Sequence, residues 1–460
     1  MNALFLLNEF VHLSPLIRYG TITLSTLIIC SVLSVAQLTL RKQPVPVWTL
    51  KAVLLTAASI GLTLLSGLLT INARWTELLI LFPFLQPLFL AVAWLFFWPI
   101  DHLMKRRIMQ QAAEMRAQFP GAIVIGIAGS VGKTTTKELL KHLLQDLSPL
   151  ATPAHVNTEM GVAQWLLKTL GTVQTGSSPL LLIEMGAYAK GEITLLCSFA
   201  KPTIGVMTRL GSDHLALFGS EQAIRAANAE LLQSLPRDGT AFVLEDDSRM
   251  EDLQQQSSCP LTVIGFSEGS KIRGMDLKEH DGKLLFSVAS TSFHVPMQGA
   301  HNAGNALLAL AVAQHLGIDP KRVSALLATF RPLAHTFTVR NERDVTLLDD
   351  TYNISPLSFA AALDWAKNRP ERPRVLLTGG LLETGQDEEK FLEDLGASAS
   401  QSIERAIFLS SRGTAAFSRG FGKPVEELID GIEHVKTGSL LLCVGRMSLA
   451  TIHKLLPDAY

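Results

Sequence analysis

AIVIGIAGSVGKTTTKELLK, residues 122–141, is the stretch on which the fold turns. The apolar run Ala122 to Ala128 predicts a buried strand, Gly129-Ser130-Val131-Gly132 a tight turn, and the segment through Lys137 to Lys141 a helix. Strand, glycine-rich turn and helix form the setting that a phosphate-binding loop requires. Glycines let backbone N–H groups close around phosphate oxygens, and the helix N-terminus adds positive potential. Lys133 would reach the outer phosphates and Thr134 would offer its hydroxyl to Mg2+. The strict G-x-x-x-x-G-K-[ST] spacing is not met, because Ile127 stands where the first glycine would be.

Short apolar runs alternate with amphipathic ones on the C-terminal side of this stretch, as in a mostly parallel sheet wrapped by helices. Leu180 to Ile183 ends in Glu184, and a carboxylate at the C-terminal tip of a parallel strand sits where α/β folds bind ligands. Glu184 is therefore a candidate to hold Mg2+ beside Thr134. Thr203 to Thr208 predicts another strand on the same ligand edge, with His214 just beyond it. Arg331-Pro332 breaks the helical pattern. The runs Arg374 to Thr378, Ala406 to Ser410 and Leu440 to Val444 then suit a second, smaller Rossmann-like sheet.

The first hundred residues read differently. Three stretches without a charged residue lie between Arg18 and Arg41, Lys51 and Arg74, and Glu77 and Asp101, each 22 or 23 residues long. As helices they would cover roughly 33 Å, against a bilayer core of about 30 Å. Arg41-Lys42 and Lys105-Arg106-Arg107 would then lie on the same, cytoplasmic side. These signs predict three transmembrane helices in the inner membrane with the rest of the chain in the cytoplasm; residues 1–17 would form an interfacial helix. The near-neutral net charge of -1 gives no reason to expect a nucleic-acid partner. Cys30, Cys197, Cys259 and Cys443 lack metal-ligand or CxxC spacing, as expected of thiols in a reducing compartment. The expected fold is α/β: N-terminal transmembrane helices (1–104), a P-loop-type, mostly parallel ATP-binding domain (105–330), and a smaller Rossmann-like domain (331–460).

Further segments follow in a fixed order: HVNTEMGV from His155, IEMGAYAKGEI from Ile183, TRLGSDHLALFGS from Thr208, GAHNAGNALLALAVA from Gly299, DDTYNISPLS from Asp349, and TGGLLETG from Thr378. With GSVGKTTTKE from Gly129 they resemble the Mur ligase family, from about Gly121 to the C-terminus, and most of all its branch that adds D-alanyl-D-alanine to a UDP-muramoyl tripeptide. The resemblance implies an ATP- and Mg2+-dependent ligase that activates a carboxylate as an acyl phosphate and joins it to an amine. It implies catalytic roles for Lys133, Glu184 and His214, with Thr134, Glu184 and His214 at the metal. Gly129, Gly132, Lys133, Thr134 and Thr135 would hold the phosphates, Asn302 and Asn305 would approach the adenine, and Asp350, Tyr352 and Asn353 would close over the nucleotide.

The chain departs from the family pattern in three places. Apolar segments stand where a nucleotide-sugar domain would be, which makes a lipid-linked or membrane-near acceptor attractive. Asn228 stands where many members have a carbamate-bearing lysine, which weakens a second metal site. Ala334-His335 replaces the usual Gly-Arg, and histidine is no permanent guanidinium clamp. Arg331 and Arg340 are the nearby candidates to compensate. These departures keep open a second class, an ATP-binding but non-ligating membrane scaffold or sensor of envelope assembly. A P-loop transport ATPase is disfavoured, because there is no second P-loop and no charged residue within the apolar segments.

Overall fold

The computed structural model describes residues 49–72, 82–211, 215–245, 250–352, 355–380, 388–429 and 432–457. The first expected span, residues 1–17, His214, Asn353 and most of the TGGLLETG motif lie outside the described residues. The chain divides into two compact units, Met1–Arg107 and Ile108–Tyr460.

Two long helices belong to the N-terminal region, α1 (Leu50–Asn72) and α2 (Phe82–Ala117), the second with Pro87 and Pro99 inside it. α1 carries exposed leucines, among them Leu64, Leu65, Leu68 and Leu69. Asp101 accepts ion pairs from Lys51 at 2.9 Å and Lys105 at 3.5 Å. Among the described residues two helices, overlapping the second and third of the expected spans, are long and apolar enough to cross a bilayer. Length and composition alone make this a weak sign.

The second unit is mixed α/β with two sheets. Strands β1 (Ile123–Ala128), β2 (Leu150–Ala151), β3 (Leu180–Glu184), β4 (Ile204–Met207), β5 (Thr240–Leu244), β6 (Leu261–Gly265) and β7 (Ile272–His280) run parallel in the order β2-β3-β1-β4-β5-β6-β7. β8 (Lys283–Val288) and β9 (Thr291–Val295) extend this sheet as an antiparallel meander. All five residues of β3 are buried. Helices cover both faces, so such a strand reads as one apolar run instead of an alternation. The two-residue period survives in what each side chain meets. Ile125 and Ile127 pack with Leu139, Leu140 and Leu307, whereas Val124 and Ala128 join the cluster of Ile193, Leu196 and Leu231 on the opposite face.

Parallel partners flank β1 on both sides, β3 on one and β4 on the other. The chain winds first one way from β1 and later the other, so the loop after β1 opens at a topological switch point, where α/β sheets bind their ligands. That loop leads directly into α3 (Lys133–Leu143). α4 (Glu159–Leu170) is capped by the Thr158 side chain. α5 (Glu221–Ser234) and α6 (Ala300–His315) carry further residues of the site described below.

The second sheet has the order β10-β11-β15-β12-β13-β14, parallel except for the first pair. Its strands are β10 (Thr338–Glu342), β11 (Val345–Asp350), β12 (Arg374–Thr378), β13 (Arg405–Phe408), β14 (Glu426–Glu427) and β15 (Leu440–Val444). α7 (Pro356–Lys367) follows β11 and starts with a reciprocal Ser355–Ser358 capping box. α8 (Glu388–Ser400) and α9 (Thr414–Phe421) pack so closely that a Cβ at Gly420 would lie 1.8 Å from the Glu393 carbonyl oxygen. The obstacle is backbone and cannot rotate away. Gly420→Ala is therefore expected to destabilise the protein by about 1–3 kcal/mol, read as a lower denaturant midpoint.

Candidate active site

The loop after β1 owes its shape to two glycines. Gly129 has φ +130° and Gly132 φ +91°, and an added Cβ would lie 2.2 Å from Thr208 Oγ1 at the first and 2.4 Å from Asn305 Oδ1 at the second. Ser130 and Val131 donate their N–H groups to the Arg209 carbonyl at 3.0 and 3.1 Å, and Gly129 donates to Asn228 Oδ1 at 2.8 Å. These three amides hold the loop to the segment after β4 and to α5. α3 begins at Gly132 with no side-chain cap. Its first-turn N–H groups have no intrahelical partner and are suited to an anion. Lys133 Nζ donates to the carbonyls of Gly129 at 2.5 Å and Ser130 at 2.8 Å, curled over the loop it starts from.

Beside the loop the buried Glu184 ends β3. Thr134 Oγ1 lies 3.2 and 3.1 Å from its two carboxylate oxygens, Asn157 Nδ2 donates to Oε1 at 3.2 Å, and Lys137 Nζ donates to Oε2 at 3.1 Å. Thr134 and Glu184 thus offer hard oxygen ligands within hydrogen-bonding reach of each other. That donor set fits Mg2+, which typically takes one or two protein oxygens and completes its octahedron with water and phosphate. Among the described residues no cluster of three or more His, Cys, Asp or Glu side chains could hold a metal. His214, the third expected ligand, lies outside them.

A cavity of about 310 Å³ opens over these groups. Gly129, Gly132, Lys133, Thr134, Thr135, Glu184, Asn302, Asn305, Asp350 and Tyr352 all line it, so the structure brings together every candidate residue that it describes. Asn302 and Asn305 are buried one turn apart on α6, with Asn305 Nδ2 donating to Asn302 Oδ1 at 3.2 Å. Tyr352 stacks on His155 with ring centroids 4.8 Å apart. Burial, followed by the Glu184 carboxylate, raises the Tyr352 phenol above its ordinary range. Burial, followed by the charge of Arg209, lowers His301 to about 4 and leaves it neutral at physiological pH.

Asp349 and Asp350, adjacent on β11, have opposite fates. Asp349 is fully buried and accepts from His335 Nδ1 at 2.9 Å, Arg340 Nη1 at 2.6 Å and Thr351 Oγ1 at 2.7 Å. Burial opposes its charge, but the hydrogen bonds, Arg340 foremost, hold it below the usual carboxylate range. Asp350 accepts only the Phe337 N–H at Oδ1, and its Oδ2 has no partner among the described residues. Burial pushes it up to about 7.

Sequence reasoning missed several residues here. Arg340, a candidate phosphate clamp, is engaged by Asp349 and Glu342 and does not line the cavity. Arg446 does line it, from the loop after β15. The rule that singled out Glu184, a charged residue just past a parallel strand, also points to Arg446. Lys137 lies four residues after Lys133, on the same helical face. His155, Asn157 and His301 fall inside motifs already quoted, yet no single one stands out from its neighbours in sequence.

Residues 127–313 match the Mur ligase middle domain. The chain carries a Mur ligase middle domain. It is 36% identical over 287 residues to the UDP-N-acetylmuramoyl-tripeptide–D-alanyl-D-alanine ligase of Synechocystis, covering 62% of this chain and 61% of that one. The Escherichia coli enzyme of the same name is 28% identical, with 66% and 68% covered. The chain thus spans about three fifths of the Synechocystis relative. Among solved structures, MurF from Acinetobacter baumannii superposes with a TM-score of 0.69 at 22% identity, over 76% of this chain and 79% of that one. MurF from Thermotoga maritima in complex with ADP gives 0.65 at 25% identity, over 76% and 82%. Mur ligase relatives therefore share this α/β architecture.

The relatives also correct an expectation. The multi-pass inner-membrane location does not stand, because the similar proteins are ligases of a UDP-linked muramoyl tripeptide. An uncharged stretch of spanning length is compatible with crossing a bilayer without establishing it, and two such helices among the described residues are too weak a sign to outweigh these relatives.

Asp350 yields a pH prediction. Its folded pKa of about 7 lies above the unfolded value near 3.9, so between those values the folded state keeps a proton that the unfolded state has released. The stabilising share is present at low pH and is lost as pH rises towards 7. Asp350→Asn cannot ionise and should gain on the native protein by roughly 2 kcal/mol between pH 5 and pH 8, measured by denaturant unfolding at the two pH values.

Proposed function

We propose that this chain is an ATP-dependent, ADP-forming carbon–nitrogen ligase of peptidoglycan precursor synthesis, which joins a dipeptide amine to a nucleotide-linked peptide acid. One observation carries the reading: the uncapped start of α3, with Lys133 and Thr134, shares a cavity with the Glu184 carboxylate and with Asp350, Tyr352 and Arg446 from the second sheet. The relatives' names favour a UDP-muramoyl tripeptide as the acid and D-alanyl-D-alanine as the amine. A nucleotide-linked acceptor takes the place of the lipid-linked one that the apolar segments suggested.

The chemistry follows from making an amide in water. A carboxylate is a poor electrophile, so the γ-phosphoryl group of ATP is transferred to it. The amine attacks the resulting acyl phosphate, and phosphate leaves with the acyl oxygen. Magnesium, held by Thr134 and Glu184, would neutralise charge on the transferring phosphoryl group. Lys133 swings from its own loop carbonyls to the outer phosphates, and the first-turn N–H groups of α3 hold their oxygens. Asn302 and Asn305 meet the base. Asp350 and Tyr352, with Arg446, close the cavity from the second sheet and keep water from the acyl phosphate. His214 and Asn353 keep the roles that the family resemblance implies, at the metal and over the nucleotide. With this reading goes a division into a nucleotide-binding part, 105–330, and a closing part, 331–460.

Asn228 and His335 were the basis for a non-catalytic scaffold. Asn228 anchors the loop amide of Gly129, and His335 pins Asp349 beside the cavity. Such supporting roles do not favour that reading.

Phosphate release from ATP is expected to require the acid and the amine together, and Lys133→Ala should lower it by about 100-fold or more while weakening ADP binding in calorimetry. Tight ATP binding with no turnover across UDP-muramoyl peptides and dipeptides would refute the proposal.

A further inference from the structure

Lys137 is a fully buried cation that does not line the cavity. Its Nζ lies 3.1 Å from Glu184 Oε2, with the Pro153 carbonyl at 3.5 Å and Glu138 Oε1 more distant at 3.9 Å. A buried ammonium is expensive, and replacing a buried ion pair by apolar side chains is often neutral or stabilising. A purely structural role gives little reason for a charge at this position. The geometry also separates the two lysines of α3. Lys133 reaches over the loop towards the cavity, whereas Lys137 approaches Glu184 from the protein interior and occupies one carboxylate oxygen. Thr134 and Asn157 meet the carboxylate from residues that do line the cavity.

We propose that Lys137 is a positioning residue, an internal counter-ion that offsets the charge of Glu184 and so makes the site accept its divalent cation only together with a nucleotide. A cation arriving alone meets a carboxylate whose charge is already offset, with a positive charge directly behind it. A cation arriving with a di- or triphosphate brings its own negative charge, and Glu184 and Thr134 need only orient it. The site then discharges its metal when the nucleotide product leaves. This inference rests on the reading that Glu184 and Thr134 hold the cation, but it concerns the order of loading, which that reading leaves open.

The test is Mn2+ binding to the full-length chain, followed by loss of the free-ion paramagnetic resonance signal, without nucleotide and with ADP. The unaltered protein should bind Mn2+ weakly alone and markedly better with ADP. Lys137→Met should tighten nucleotide-free Mn2+ binding by about tenfold or more, because a positive charge a few ångströms from the ion has been removed. Lys137→Arg should keep the original affinity, and Lys137→Met combined with Glu184→Gln should lose the gain. Lys137→Gln carries the same expectation as Lys137→Met, should the latter fail to fold. Unchanged or weaker Mn2+ binding in a folded neutral variant would overturn the proposal. So would failure of both neutral variants to fold, which would assign Lys137 to the core alone. Glu184→Gln by itself separates the two levels: if it leaves Mn2+–ADP binding intact, the metal-site reading fails, whereas if it weakens that binding and Lys137→Met tightens nothing, only the counter-ion proposal fails.

Discussion

A carboxylate buried at the tip of a central strand has to be met by donors, and Glu184 draws its donors from separate parts of the chain. Thr134 and Lys137 come from α3, Asn157 from the segment before α4, and Thr152 Oγ1 accepts the Glu184 backbone N–H. An unpaired buried charge costs several kcal/mol. The strand, the loop-bearing helix and the segment after β2 must therefore converge in one arrangement. The same convergence places an uncapped helix start next to two hard oxygen ligands, which is what binding a phosphate with a divalent cation demands.

The second sheet meets this centre with its own polar residues. Asp349 is locked by His335, Arg340 and Thr351, and this stiffens the strand end from which Asp350 projects with one oxygen that has no partner among the described residues. Further contacts tie the two sheets' elements together. Glu279 accepts from Trp365 Nε1 at 2.6 Å and from the Gly299 N–H at 3.0 Å, at the start of α6. His301 packs edge-on against Phe337 at 4.7 Å, and Tyr352 stacks on His155. Aromatic packing at the base and stacking at the rim thus hold the residues of both sheets around one space.

Much of this was legible beforehand. The run Ala122 to Ala128 and the Gly129–Gly132 turn announced β1 and its loop, and Arg374 to Thr378 and Leu440 to Val444 coincide with β12 and β15. Every described candidate from Gly129 to Tyr352 reached the cavity. Other features were not legible. Lys137 reads as an ordinary helical lysine until its burial is known, and Arg340 looked like a phosphate clamp until its carboxylate partners appeared. The charge-free N-terminal stretches misled about location, because helix length against bilayer thickness is a necessary condition for crossing a membrane and not a sufficient one.

The sequence by itself determined where strands, the glycine loop and helix starts fall, and which residue types stand at the strand tips. Those features depend on neighbouring residues: side-chain periodicity, backbone freedom at glycine, capping at helix ends. Only the tertiary structure decided which lysine faces the cavity and which lies beneath Glu184, that Asn228 holds the Gly129 amide 99 residues away, and that Asp349 has three side-chain donors while one oxygen of Asp350 has no partner among the described residues. Charges and polar atoms in the interior are stabilised by whatever partner the fold delivers to within about 3 Å, and that partner is set by the packing of sheets and helices, which no local pattern records.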